Sequence, residues 1–236
     1  MTYTIGGDLG KSVDNAAIAV LKHKPNYKEV ERVPGTRHMA ERGIRVLHSY
    51  DLVTLEKMPL GTPYPKVVER FSHYYNHPKL LQDVDLVVDA GGVGSAVYDF
   101  LRQAGLPAIG VVTTAGNNPI YDEKRNMWSL PKKDLVAALV SLYQTGRLKM
   151  NPKLPFLDDF KYQLEGFTAK LKKDSTHLSY EALTEDVHDD LVIAVALAAW
   201  WAQLQINSLD EILKEHKKKD YDPRRFRLET RKKGKG

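Results

Sequence analysis

Two short, nearly continuous apolar segments in the middle of the chain constrain its fold more than any other feature. They are Asp85–Ala90 and Ala108–Thr113. Strands that are buried on both faces have this composition, which is typical of parallel sheets covered by helices. The 236 residues are enough for one large domain with a sizeable core. We therefore expect both segments at the centre of one sheet.

The first quarter of the sequence has a different, antiparallel pattern. Thr2–Gly7 and Ala16–Leu21 are short apolar segments joined by a glycine- and asparagine-containing turn, which predicts a hairpin. Ile44–Lys57 alternates in polarity and predicts a third strand. The polar stretch Lys22–Gly43, with Pro34-Gly35 inside it, predicts a long turn or flap between the second and third strands.

Helical spacing of apolar residues follows these strands. The predicted helices are Tyr64–Tyr75, Gly94–Ala104, Pro131–Arg147 and Phe156–Glu165. Phe167–Tyr180 is expected to hold two further strands around Lys172–Thr176. Leu191–Leu204 is apolar on all sides, which predicts a buried helix too short to span a membrane. The fold class is therefore α/β: a mixed sheet of three antiparallel strands and then parallel strands, with helices on both faces.

The charge of the chain is unevenly distributed. The net charge is +5, but the last 26 residues carry 11 Lys and Arg against 5 Asp and Glu, so the rest is slightly acidic. We predict a globular domain at residues 1–205 and a basic tail at residues 206–236. Such a tail either binds phosphate backbones or is a solvated terminus.

Cysteine is absent, which excludes disulfides and thiolate metal sites. No signal peptide is recognisable, so a cytoplasmic location is expected.

Aspartates lie at the ends of several predicted elements. Asp8 closes the first strand, Asp89 closes the strand at 85–90, and Asp189 and Asp190 precede the apolar helix. A carboxylate at the end of a buried strand is costly unless a cation or hydrogen-bond donors meet it. Taken singly, each aspartate is better explained by a structural role, such as a turn for Asp8 or a helix N-cap for Asp189 or Asp190. Together they favour a site for two Mg²⁺ or Mn²⁺ ions of the kind that hydrolyse phosphodiesters.

The segment Gly6–Ser12 is a near match to a phosphate-binding P-loop. The first glycine of that pattern falls on Ile5, and a strand-like segment follows where a P-loop would open a helix. We therefore do not expect a P-loop here.

Three motifs in order resemble those of one known family. They are Asp8-Leu9-Gly10, the segment Val87–Gly94 with Asp89-Ala90-Gly91-Gly92, and His188-Asp189-Asp190-Leu191-Val192 running into the apolar helix. This set resembles the nuclease domain of phage large terminase subunits over roughly residues 2–205. The resemblance implies an RNase H-like fold, related to RuvC-type junction resolvases. It also implies metal-dependent cleavage of double-stranded DNA during genome packaging.

The resemblance also implies roles for individual residues. The expected catalytic and metal-binding acids are Asp8, Asp89, Asp190 and Asp189, with Asp190 preferred over Asp189 as the main ligand. Asp14 and His188 are expected as auxiliaries. Lys11, Lys132 and Lys133 are the expected DNA contacts.

The resemblance implies further proteins as partners. Members of the family also carry an N-terminal ATPase, which this sequence lacks. Either the sequence is an excised domain or a separate gene encodes the nuclease, and the candidate partners are a separate packaging ATPase, a small terminase subunit and a portal. Three alternatives remain at this stage: a RuvC-like junction nuclease, an actin-like ATP-binding protein, and a DNA-binding module that depends on the tail.

Overall fold

The computed structural model describes residues 2–10, 15–30, 43–80, 83–92, 94–173 and 189–220. The chain divides into two compact units, one ending at Trp201 and one beginning at Ala202. The site described below lies in the first unit. The predicted division between residues 205 and 206 stays a prediction.

The described residues form eight strands and five helices. The strands are β1 Tyr3–Asp8, β2 Ala17–Val30, β3 Gly43–Lys57, β4 Val84–Asp89, β5 Ile109–Thr114, β6 Ile120–Asp122, β7 Met127–Pro131 and β8 Leu148–Met150. The helices are α1 Tyr64–Tyr75, α2 Gly94–Gln103, α3 Lys132–Gln144, α4 Leu157–Lys173 and α5 Asp190–Asp220.

All eight strands belong to one mixed sheet. Their order is β6-β7-β5-β4-β1-β2-β3-β8. β1, β2 and β3 pair antiparallel, whereas β1, β4, β5 and β7 run parallel to one another. The strand order thus confirms the predicted fold class, a mixed sheet of three antiparallel strands followed by parallel ones.

Two neighbouring glycines in β1 let helices approach both faces of the sheet. A Cβ on Gly6 would lie 2.0 Å from the carbonyl oxygen of Ala194 in α5. A Cβ on Gly7 would lie 2.4 Å from the ring of Phe71 in α1. Because successive residues of a strand face opposite sides, α5 covers one face and α1 the other. The central strand therefore has no room for side chains at these two positions.

The start of α5 is held within the core. Leu191–Trp200 is buried without exception, which confirms the predicted burial for this part of the apolar segment. The backbone N–H of Leu191 donates to Oε1 of the buried Gln163 in α4 at 3.1 Å. This bond satisfies one of the N–H groups that a helix start leaves without an intrahelical partner. Among the described residues, no helix is long and apolar enough to cross a membrane.

Several sequence predictions need correction. Residues 22–30 are not a turn, because β2 continues to Val30 and pairs with β3 as far as Gly43. Strands are predicted over Phe167–Tyr180, but α4 continues to Lys173, where lysine, leucine and alanine favour a helix. Residues 174–180 of that prediction lie outside the described residues. Pro131 ends β7 and precedes α3 rather than beginning it. The short strands β6, β7 and β8 were not predicted.

Candidate active site

The register of the sheet brings two of the predicted acids together. β1 and β4 pair in parallel from Tyr3 with Val84 to Gly7 with Val88. Asp8 and Asp89 are the next residues of these two strands, so the same register places them beside each other. They are also the last residues of β1 and β4. Neighbouring strands are about 4.8 Å apart, and paired residues project from the same face. Both carboxylates therefore occupy one edge of the sheet, on the face that α5 covers.

A matching turn follows each of these two strands. The N–H of Gly10 donates to Oδ1 of Asp8 at 3.3 Å, and the N–H of Gly91 donates to Oδ1 of Asp89 at 2.8 Å. Each aspartate thus accepts a bond from the backbone two residues later, which is a turn geometry that aspartate favours. Gly10 has a φ of 57°, a conformation that suits glycine. The turns fix the direction of both carboxyl groups.

Helix α5 carries the third acid to the same place. Ala194 and Ala198 contact Gly6, and Asp190 lies one turn before Ala194 on the same side of the helix. Asp190 is buried, with 3% of its surface exposed. Asp189 precedes the helix, is half-buried, and accepts a backbone bond from Ile193 at 2.9 Å.

The electrostatics of Asp8 show that these acids act on one another. Burial raises the pKa of the Asp8 carboxyl well above its ordinary value. The negative charges of Asp89 and Asp190 raise this pKa further, and Asp189 adds a weaker effect. The bond from Gly10 opposes these effects without cancelling them. Asp89, Asp190 and Asp189 therefore all lie close enough to Asp8 to disfavour its ionised form.

Sequence reasoning missed one residue of this cluster. Lys57 ends β3, and its Nζ lies 3.7 Å from Oδ2 of Asp190. It is paired with Ala17, which is paired in turn with Asp8. The connection between Lys57 and the acids depends on the register of three strands. No local pattern in the sequence could have revealed it.

The predicted ligands are near one another but are not arranged as a finished metal centre. Among the described residues, no group of three or more His, Asp or Glu side chains has the geometry of a metal site. Lys11, Asp14 and His188 lie outside the described residues.

The two predicted DNA-contacting lysines of α3 lie at the same edge of the sheet. β7 runs parallel to β5, β4 and β1, so Lys132 and Lys133 follow the same ends of the strands as Asp8 and Asp89 do. Two strand spacings, or about 10 Å, separate β7 from β4. The Nζ of Lys133 donates to Oδ1 of Asn117 at 3.1 Å. These lysines border the acidic cluster but do not belong to it.

Two other acids near the sheet have structural partners. Oδ2 of Asp85, at the opposite end of β4 from Asp89, accepts a bond from the indole of Trp201 at 2.8 Å. Glu56 accepts two bonds of 2.7 Å from the guanidinium of Arg70 in α1. Neither group takes part in the cluster around Asp8.

Two solved structures are similar to this chain. One is the large terminase nuclease from the thermophilic phage G20c, crystallised with bound zinc. Its sequence is 18% identical to this chain, the TM-score is 0.43, and the match covers 84% of this chain and 79% of the phage nuclease. The other is the human cytomegalovirus terminase nuclease domain, with 14% identity, a TM-score of 0.45, and 84% of each chain covered. No protein-family model matches the sequence, and no curated protein sequence matches it.

Proposed function

We propose that this chain is a divalent-metal-dependent endonuclease that hydrolyses phosphodiester bonds of double-stranded DNA, acting as a terminase nuclease in phage genome packaging. One observation carries the proposal. Three separate elements, β1, β4 and the start of α5, bring Asp8, Asp89 and Asp190 to one edge of the sheet. Asp190 is buried, and Asp8 and Asp89 are half-buried. Acids gathered in this way have an electrostatic cost, and a catalytic site explains why the fold keeps them.

The chemistry of these residues fits Mg²⁺ or Mn²⁺. Both are hard cations that prefer carboxylate oxygens. The raised pKa of Asp8 reflects burial and a surplus of neighbouring negative charge, which divalent cations would offset. Asp8, Asp89 and Asp190 would hold the cations, because the charges of Asp89 and Asp190 both act on Asp8. Asp189 is assigned a supporting place beside Asp190.

The chain itself contributes position and charge to the reaction. The chemistry that such cations supply when bound is activation of water and stabilisation of the leaving 3′-oxygen. The turns after Asp8 and Asp89 hold those carboxylates in place, and the contact of α5 with Gly6 holds Asp190. Since water is the nucleophile, no serine or cysteine is needed. Lys132 and Lys133 are proposed to hold backbone phosphates without reading sequence.

The proposed partners follow from the same assignment. Double-stranded DNA is the substrate, and the lysines and arginines after Glu211 add affinity that salt should weaken. A separate packaging ATPase, a small terminase subunit and a portal complete the proposed assembly, in the cytoplasm of the host cell.

Cleavage of supercoiled plasmid DNA tests the proposal. We expect nicked and linear products with Mn²⁺ or Mg²⁺, none with EDTA, and none from the Asp89→Ala variant. Asp99→Ala is the matched control, since Asp99 is an exposed aspartate of α2. Failure of the folded wild-type protein to cut with either metal would contradict the proposal. Preference for a four-way junction over duplex DNA would favour the RuvC-like alternative.

A further inference from the structure

Lys57 occupies a defined place relative to the acidic cluster. Asp89, Asp8, Ala17 and Lys57 form one row across four adjacent strands, on the face that α5 covers. Two strand spacings, about 10 Å, separate the backbones of Asp8 and Lys57. The residue between them is Ala17, a fully buried residue with a short side chain. A lysine side chain that starts from β3 can therefore extend over β2 toward the acids.

The side chain of Lys57 ends beside Asp190. Its Nζ lies 3.7 Å from Oδ2 of that residue, and the two side chains are 22% and 5% exposed. An ammonium group in this position offsets the charge of a carboxylate that has little access to water. The same carboxylate is one of the proposed metal ligands. A divalent cation that bound Asp190 would meet the positive charge of Lys57 at close range, where like charges repel strongly.

We propose that Lys57 is a built-in counter-ion of Asp190 that competes with the divalent cation and so sets the metal concentration at which the site loads. This inference rests on the proposed function, because it requires that the acids bind a metal. Lys57 is a positioning residue in this account, since it acts on the metal through Asp190. It holds Asp190 and the start of α5 in place until the cation replaces it.

Titration of the metal-free protein with Mn²⁺ by calorimetry tests the inference without measuring cleavage. We expect Lys57→Met to lower the dissociation constant of Mn²⁺ about tenfold, because a positive charge near the site is removed. Lys57→Arg keeps the charge and is expected to bind Mn²⁺ as weakly as the wild type. Lys149→Met removes an exposed lysine of β8 and should leave the affinity unchanged.

A double-mutant cycle separates the proposed role from a merely structural one. In an Asp190→Asn background, the additional change Lys57→Met should tighten Mn²⁺ binding less than it does in the wild type, because Lys57 no longer competes with the cation for the Asp190 carboxylate. Thermal unfolding without metal serves as the folding control for every variant. If Lys57→Met fails to fold, Lys57→Gln, which keeps a polar group at the same place, takes its position in the cycle.

Failure of the inference and failure of the proposed function give different results. If Lys57→Met binds Mn²⁺ as tightly as the wild type or more weakly, the proposed role of Lys57 is wrong. The proposed metal site would then still be supported, because both proteins bind the ion. If neither protein binds Mn²⁺, the proposed metal site is wrong, and the inference is overturned with it. Mn²⁺ binding by Lys57→Met but not by the wild type would support the inference in its strongest form.

Discussion

The contact between β1 and α5 predicts that Gly6→Ala disrupts both the fold and the site. The added methyl carbon would lie 2.0 Å from the carbonyl oxygen of Ala194 and 2.8 Å from the backbone nitrogen of Ala198. Carbon–oxygen contacts this short do not occur, so the helix must move away from the strand by about 1 Å or more. All the closest atoms belong to the helix, and two of them are backbone atoms that no rotamer change can move.

The magnitude follows from the kind of atoms that clash. Overpacking of a core costs about 1–3 kcal/mol and occasionally more. Because α5 cannot relieve this clash by a side-chain rotation, we expect Gly6→Ala to lower the free energy of unfolding by an amount at the upper end of this range, about 3 kcal/mol. Asp190 lies one turn from the contact and must move with the helix. A displacement of about 1 Å at a catalytic group lowers the rate roughly 100-fold.

Gly7→Ala is the matched control, since it adds the same methyl group to the opposite face. Its closest contacts are ring atoms of Phe71 at 2.4 and 2.5 Å and a methyl group of Val88 at 3.1 Å. These are side-chain atoms of α1 and β4 that can adjust without moving α5. We expect Gly7→Ala to lose stability, about 1–2 kcal/mol, but to cut plasmid DNA within about twofold of the wild-type rate.

Urea unfolding followed by tryptophan fluorescence measures the stability of both variants, and plasmid cleavage with Mn²⁺ measures their activity under folding conditions. A Gly6→Ala protein as stable as the wild type would refute the close packing of α5 on β1. Equal cleavage by folded Gly6→Ala and Gly7→Ala proteins would refute the dependence of the site on the position of α5.

Three further substitutions test the charged groups. Asp8→Asn should raise the unfolding midpoint of the metal-free protein at neutral pH and abolish cleavage. Because burial and neighbouring acids raise the pKa of Asp8 in the folded state, its ionised form destabilises the fold, and this gain should shrink as the pH falls through that pKa. Arg70→Leu should cost about 1–2 kcal/mol in urea unfolding at neutral pH, because it removes the charged hydrogen bonds to Glu56. Trp201→Phe should lower the free energy of unfolding by about 1–3 kcal/mol, because it removes the hydrogen bond from the indole to Asp85. It should also raise the pKa of Asp85 further, as measured by NMR titration, because this bond opposes the effect of burial on that pKa.

Each of these expectations has a contrary result. An Asp8→Asn protein that unfolds more easily than the wild type at neutral pH would show that the carboxylate stabilises the fold. Burial acts to raise the pKa of Glu56, but bonds from Arg70 and Tyr74 outweigh it and lower the pKa. The stability from this pair is therefore present above the ordinary glutamate pKa and is lost as the pH falls through the lowered value. A cost of Arg70→Leu that persists in acid would contradict that reasoning, and an unchanged pKa of Asp85 in Trp201→Phe would contradict the role of the indole bond.

The central part of the fold could be predicted because local patterns determine it. The apolar segments at β4 and β5 are buried on both faces, and their composition shows this directly. The all-apolar start of α5 likewise predicts a buried helix. Short edge strands such as β6 and β8 have three residues each, too few for a periodic pattern. The extra length of β2 comes from its pairing with β3, which the polarity of residues 22–30 does not reveal.

The candidate site was predictable in part for a similar reason. Asp8 and Asp89 end apolar segments and precede glycine, so their placement at strand ends can be read from the sequence. The resemblance leaves both Asp189 and Asp190 as candidates, with Asp190 preferred, and the structure adds that Asp190 is the more buried of the two. Lys57 could not be identified, because its link to Asp8 passes through Ala17 and depends on the register of three strands.

Crystals of the protein soaked in Mn²⁺ and measured for anomalous scattering would test the central claim most directly. The account predicts a manganese peak with an oxygen of Asp8 at about 2 Å, and with an oxygen of Asp89 or Asp190 completing the same coordination sphere. A fully occupied manganese site elsewhere on the molecule, with none at these three carboxylates, would contradict the account.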